Sequence, residues 1–473
     1  MNEFSRSIVK KLGYSFFANI ISLLVSVGTV AILPKYMTVQ DYGMYQLFLF
    51  YFGYVGFLHF GVLGGGIVRY AGSSYHDLDY SSLKSQCMIL MGLLLLQLLI
   101  FYIINVILSI FTDFIIVCLF VLSTVAQHII WYSISMLQMS NRIEDASKIL
   151  LVERVIWGFL SISLVLIGYD NAMHIIYIFT ATRILVMIYS CQFIPEIVWA
   201  PICLTNAIWK EFNLNFKIGF PITLSDICSI LVIGVIRFSI SDVWDITIFA
   251  KTSLILSITF FFLTFISSAS TVLLPALKQL RGSIADYIYI PLNCLTSSFF
   301  LIALIGFYPM KLLISFWIPQ YADSLIYMGI LFPILYFESK FNLLVTTYLK
   351  KILKTQIIFY INLVAIFISL IGCFLCCYYF RNLFLSLFLI TFVLGIRYTL
   401  GEFLLSGFLN SFNKILPGYI ASLILIVLFE VSVFLPDTLY GFALYSFCIV
   451  GYICISLKYL HNSWMKIKLL VVD

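Results

Sequence analysis

Long apolar runs broken by short polar turns set the plan of this chain. Strict alternation of apolar and polar residues, the mark of a half-buried strand, gives way to continuous apolar stretches about 20 residues long, the length a helix needs to cross hydrocarbon. Fourteen such stretches are expected as spans, at 13–34, 44–67, 86–110, 114–137, 149–168, 173–194, 216–238, 247–272, 288–308, 325–347, 357–379, 383–408, 416–434 and 438–459. Short connections separate most of them. The longest, "PEIVWAPICLTNAIWKEFNLN", carries two prolines with Trp199 and Trp209. It reads as an interfacial linker, since tryptophan favours the headgroup level.

Composition agrees with the pattern. Of 473 residues, 63% are hydrophobic and 10% are charged, and the mean hydropathy is +1.09. Soluble domains carry about 25% charged residues, so most of this surface must face lipid. Arg6, Lys10 and Lys11 precede the first run, which lacks a small-residue cleavage site and reads as a retained signal anchor. The cysteines carry little chemistry. Cys373, Cys376 and Cys377 give a CxxC spacing inside an apolar run, with no second pair or histidine to complete a zinc site.

Charge then sets orientation. With the N-terminus in the cytoplasm and alternating spans, 18 lysines and arginines fall inside, and Lys35, Lys311 and Arg381 fall outside. That asymmetry is the positive-inside pattern, and it places both termini in the cytoplasm. The net charge of +6 is spent on orientation, and no nucleic-acid partner is expected. The other six cations lie within spans, where a charge costs at least about 2.5–3.5 kcal/mol and marks a wet cavity or a partner. Arg183 and Arg397 are deepest, about 15 Å from either end at 1.5 Å per residue, and are expected to line a cavity. Arg154, Lys251 and Lys340 lie closer to the ends, and Arg237 is expected to snorkel. Glu153 adjoins Arg154, and Glu338 stands two residues before Lys340, so neither faces its neighbour. Glu402 lies loosely on the side of Arg397. Asp226 and Glu338 are candidates to bind a coupling proton or sodium ion. Arg69, after Gly64-Gly65-Gly66, stands at the cytoplasmic headgroup level. It is either a helix end obeying the charge rule or a group that meets a lipid phosphate.

A faint repeat is visible. "KKLGYSFFANIISLL" and "FKIGFPITLSDICSIL" align through Gly13 and Gly219, and Asp41 to Tyr45 fall near Asp245 to Phe249. Two copies of six spans share one topology, a parallel repeat. The expected organisation is a six-helix lobe at 1–194, a cytoplasmic linker at 195–215 and a second six-helix lobe at 216–408. Two extra helices with a cytoplasmic tail follow at 409–473.

These stretches resemble the polysaccharide-exporter branch of the MOP (multidrug, oligosaccharidyl-lipid, polysaccharide) flippase superfamily. The resemblance rests on Asp41, Tyr42, Gly43 and Tyr45, then Gly61 through Arg69-Tyr70, with Gly219, Pro221, Ser225 and Pro275 in the second half. The chain departs from the pattern at His59-Phe60-Gly61, where an acidic residue is frequent, and in the second copy, which lacks the glycine of Tyr-Gly-x-Tyr. The resemblance implies an all-α, MOP/MATE-like membrane fold. It implies a Wzx-type flippase moving undecaprenyl-pyrophosphate-linked repeat units, O-antigen or a similar polysaccharide, from inner to outer leaflet of the bacterial inner membrane. It also implies a polysaccharide polymerase and a chain-length regulator as neighbours, and membrane lipids as partners. No cofactor is expected beyond a coupling proton or sodium ion. Arginine suits a pyrophosphate, because its planar fork binds phosphate oxygens bidentately and stays charged. A cation-coupled small-molecule antiporter would present central carboxylates instead. A multi-span polymerase or ligase would need a large outer loop with catalytic side chains, and the longest here, "PMKLLISFWIPQYADS", holds one lysine.

Overall fold

The computed structural model describes residues 21–279 and 282–472. Arg6, Lys10, Lys11, Gly13, Arg281 and the start of the first expected span lie outside the described residues, as do the side chains of Pro275 and Lys278. Among the described residues every regular element is helical. Among the described residues, eleven helices are long and apolar enough to cross a membrane, or up to twelve if one bent pair counts as a single span. Ile21–Tyr36 and Ile246–Phe261 are the described apolar parts of the first and eighth expected spans. The chain is a multi-pass membrane protein.

Two compact units divide it, Met1–Ile227 and Cys228–Asp473. The first unit begins with α1 (Ile21–Tyr36), α2 (Val39–Phe52) and α3 (Val62–Tyr70). The long helices α4 (Tyr80–Leu108), α5 (Phe114–Met139), α6 (Ile143–Leu166) and α7 (Ala172–Cys191) follow. The short α8 (Pro195–Val198) leads to α9 (Asn206–Val243), in which the unit boundary falls. The polar turns between spans are helix caps. Asp79, Asp113 and Asn171 each accept a backbone N–H from the first turn of the helix that follows. On α4, Leu95, Leu96, Leu99, Ile100 and Ile103 repeat at three and four residues and are all exposed, an apolar stripe suited to lipid.

The motif around Asp41 is structural. Thr38 caps α2 by accepting the Asp41 N–H at 3.1 Å. The Asp41 carboxylate accepts the Thr38 hydroxyl at 2.6 Å and the Ala172 N–H, at the start of α7, at 3.0 Å. One carboxylate thus ties together two helix N-termini, where negative charge is favoured. Tyr42 and Tyr45 are buried, and Gln46 donates to the Tyr42 hydroxyl at 2.7 Å.

α2 and α3 bend by 48° across Gly61, whose φ of +81° lies in the left-handed region that favours glycine. The bend brings α3 backbone to backbone with α9. A Cβ at Gly61 would collide with Gly219, one at Gly65 with the Asn215 carbonyl, and one at Gly219 with Gly61. Gly64 differs, since a Cβ there meets nothing within 4 Å. α9 has 38 residues, roughly 57 Å at the helical rise. That exceeds a hydrocarbon core of about 30 Å, so one end projects from it.

The second unit runs through α10 (Ile246–Gln279), α11 (Gly282–Ala303), α12 (Phe307–Trp317), α13 (Leu325–Leu331), α14 (Ile334–Lys340) and α15 (Thr347–Lys351). It ends with α16 (Thr355–Cys373), α17 (Leu383–Phe408), α18 (Phe412–Val433) and α19 (Thr438–Val472). The segment Pro319–Lys351 is the most enclosed span, with 83% of its apolar window buried. It is broken at Pro333 and by a π-helical turn at Phe341–Thr346. α18 and α19 dock through aromatic and polar contacts. Phe429 packs on Phe307 and Tyr445, Ser432 bonds Tyr308 at 2.5 Å, and Tyr445 donates to the Leu301 carbonyl at 2.9 Å.

The glycine contacts make a paired prediction. Gly219→Ala should destabilise the folded protein by about 1–3 kcal/mol, the usual range for overpacking, and Gly64→Ala should leave it unchanged or slightly firmer. Thermal melting of both variants in detergent checks this.

Candidate functional site

Every deep cation in the spans needs compensation, and the partners come from other helices. In the first unit, Arg183 on α7 forms an ion pair with Glu153 on α6. Its guanidinium also lies over Phe179 at 4.6 Å and Phe52 at 5.6 Å. Arg154, one residue after Glu153, points away and is exposed. In the second unit, Arg397 on α17 is 2% exposed. It pairs with Glu338 on α14 at 3.0 Å, donates to Ser229 on α9 at 2.9 Å, and lies over Phe341 at 4.0 Å. Glu338 also accepts from Asn342 at 3.0 Å. A cation bound at Glu338 would therefore compete with a guanidinium and an amide.

The two units thus hold the same three-part device: arginine, glutamate and a phenylalanine face. In each, the guanidinium Nε keeps no hydrogen-bond partner. Arginine carries five N–H donors in a fixed fork, so donors remain beyond those the glutamate uses.

Lys340 is held differently. Its ammonium, with three N–H donors, lies within hydrogen-bond distance of four neutral oxygens, the Asn293 carbonyl and side chain at 3.0 Å, Thr296 at 3.2 Å and Ser297 at 2.9 Å. Lys251 reaches Asp323 at 2.5 Å, with Asp323 69% exposed, and this pair sits at an edge. Arg237 donates to Ser253 at 3.1 Å. Asp226 is exposed on α9.

Arg69 clamps α3 to the start of α9. It bonds the Glu211 carboxylate and the Asn215 side chain, both at 2.7 Å, while Tyr70 donates to Glu211 at 3.1 Å. Asn215 in turn donates to Gln86 on α4 at 2.8 Å. The linker is fastened nearby. Lys84 donates to the Val198 carbonyl at 3.0 Å, and Tyr75 donates to Glu196 at 2.9 Å. The tyrosine hydroxyl and the backbone N–H of Glu196 hold that carboxyl below its usual range. Beside this assembly a cavity of about 570 Å³ opens, lined by His59, Asn206, Trp209, Lys210, Asn213 and Phe216.

Of the predicted residues, the structure brings Arg397 and Glu338 together. Arg69, Arg154 and Arg183 stand in the first unit, and Lys251, Lys340 and Arg397 in the second. Glu153 as the partner of Arg183, and Asn293 beneath Lys340, were missed by sequence reasoning. The excess of deep arginines signals that acids must face them from other helices, and it does not say which.

No protein-family model matches the chain, and no curated protein matches its sequence. Solved structures do match. The lipid II flippase MurJ in an inward closed conformation is 15% identical, with 95% of this chain and 100% of that chain covered and a TM-score of 0.67. An inward-facing MATE family transporter of the MOP superfamily is 12% identical over 84% of this chain and 99% of that one, at a TM-score of 0.45. A MOP superfamily transporter from Pyrococcus furiosus is 12% identical over 85% and 93%, at 0.47. The fold is like that of the lipid II flippase MurJ. At these identities the likeness establishes the fold and leaves the substrate open.

The ion pair at Arg397 gives a stability test. Glu338→Leu leaves a buried guanidinium without its carboxylate and should cost about 3–5 kcal/mol, whereas Glu338→Leu with Arg397→Met should recover most of the loss. Melting of single and double variants in detergent checks it.

Proposed function

We propose that the chain is a flippase for undecaprenyl-pyrophosphate-linked oligosaccharide repeat units of a surface polysaccharide such as O-antigen. It carries them from the inner to the outer leaflet of the bacterial cytoplasmic membrane by alternating access, with both termini in the cytoplasm. The observation that carries this reading is a fold shared over 95% of the chain with a lipid II flippase, itself named for a lipid-linked substrate. The deep arginines give it chemical support. Arg183 and Arg397 are the groups we assign to the pyrophosphate, because a guanidinium keeps its charge in lipid and matches phosphate oxygens in pairs. At rest Glu153 and Glu338 neutralise them. The incoming anion takes up donors left over and draws each guanidinium from its glutamate. Lys251, Lys340, Arg154 and Arg69 are secondary candidates, and Asp226 and Glu338 are candidates for a coupling ion. A polymerase and a chain-length regulator would act on the delivered units.

Separating binding from folding requires double variants. In a strain lacking the gene, wild type should restore outer-leaflet units. Arg183→Ala with Glu153→Ala should insert at normal level, because no charge is left unpaired, yet leave units on the inner leaflet with export down at least about tenfold, a loss of 1.4 kcal/mol or more in binding. Fractionation of lipid-linked sugars by leaflet checks this. Normal export by the double variant would remove Arg183 from the site. Units that reach the outer leaflet without the gene but stay unpolymerised would overturn the flippase reading.

A further inference from the structure

We propose that Glu402, with Lys340 and Asn293, is a proton-exchange site in the second unit; the proposal rests on the transport reading only in naming the proton as the coupling ion. Glu402 lies on α17, one turn beyond Arg397, and is 4% exposed. One carboxyl oxygen accepts from the Asn293 side chain. The other is buried and has no hydrogen-bond partner, and the same holds for the hydroxyl of Tyr289 on α11. The Tyr289 hydroxyl and the Glu402 carboxyl are electrostatic neighbours. Asn293 also binds Lys340 through both its oxygens, so one amide links an ammonium to a carboxyl.

The arrangement has two self-consistent states. With Glu402 ionised, Lys340 and Glu402 cancel, and the Tyr289 hydroxyl can turn its proton toward the carboxylate. With Glu402 protonated, the cluster carries one positive charge, and the Tyr289 hydroxyl can turn its proton away from the carboxyl. The Lys340 ammonium does not depend on the glutamate for its hydrogen bonds, since four neutral oxygens surround it. Among the described residues, Lys340 is the formal charge that acts on the carboxyl. The groups that face it are Tyr289 on α11, Lys340 and Tyr336 on α14, Tyr398 on α17 and Tyr419 on α18.

A cavity lies beside Glu402. Glu402 lines a cavity of about 160 Å³ with Thr399, Ser406, Phe412, Ile415 and Tyr419. A water takes about 30 Å³, so the cavity has room for a few molecules. It lies beside the turn between α17 and α18, and the Thr399 and Tyr419 hydroxyls, 2.6 Å apart, line its wall. Lys340 immediately precedes the π-helical turn of the broken span, so a charge change here acts on the least regular segment of the unit.

The test needs no glycolipid. Purified full-length protein in lipid nanodiscs is titrated with pH and followed by infrared difference spectroscopy at the carbonyl stretch of protonated carboxylic acids. We expect a titrating band that is lost in Glu402→Gln and displaced in midpoint in Lys340→Gln, but kept in Glu430→Gln, Glu430 on α18 being a second carboxyl with a buried oxygen that has no hydrogen-bond partner. Should Glu402→Gln fail to fold, Glu402→Asp, which retains a carboxyl, must move the band. A band unchanged by either Glu402 variant overturns the proposal, as does one that responds to sodium at fixed pH and not to pH. Because no substrate is present, a negative result leaves the flippase reading standing, and failed leaflet export would leave the titration intact.

Discussion

A charge inside a membrane protein must find its partner within the protein, and the helix contacts described here follow from that constraint. Arg183 draws α7 to α6 through Glu153. Arg397 joins α17, α14 and α9 through Glu338 and Ser229. Lys340 joins α14 to α11 through Asn293, Thr296 and Ser297. Such pairs add little net stability over an apolar isostere, but breaking one strands a buried charge. They therefore discriminate against wrong helix neighbours more than they strengthen the right ones. Apolar contacts between helices, which lipid tails imitate well, discriminate poorly by comparison.

The same constraint explains what the sequence revealed. Spans are legible because each is a local property, a run of apolar side chains bounded by caps such as Asp79 and Asp113. The depth of Arg183 and Arg397 is legible from position alone. Their partners are not, because an ion pair across helices has no fixed sequence separation. Glu402 stands five residues from Arg397 on its own helix, yet the guanidinium goes to Glu338, 59 residues back. Local spacing ruled out Glu338 as the partner of Lys340, and its true partner lay on another helix.

The motif that carried the family resemblance is used almost entirely in packing. Asp41 holds two helix N-termini, Tyr42 and Tyr45 are buried, Gly61 permits the bend and the approach of α9, and Arg69 locks that approach. Residues of this kind report a fold, and the structural likeness to MurJ agrees with them. They say less about the sugar carried. Substrate choice belongs to side chains whose chemistry packing does not consume, which is why the unused donors of Arg183 and Arg397 are the stronger lead.

The most direct measurement is leaflet transfer by the purified protein alone. Reconstituted vesicles would carry an undecaprenyl-pyrophosphate-linked oligosaccharide on one leaflet, with an impermeant glycosidase added on the other side. The account predicts that the glycan becomes accessible with wild-type protein. It predicts little transfer with the Arg183→Ala, Glu153→Ala double variant or with empty vesicles. Equal accessibility in all three, or transport of small cationic solutes with no glycolipid transfer, would contradict it.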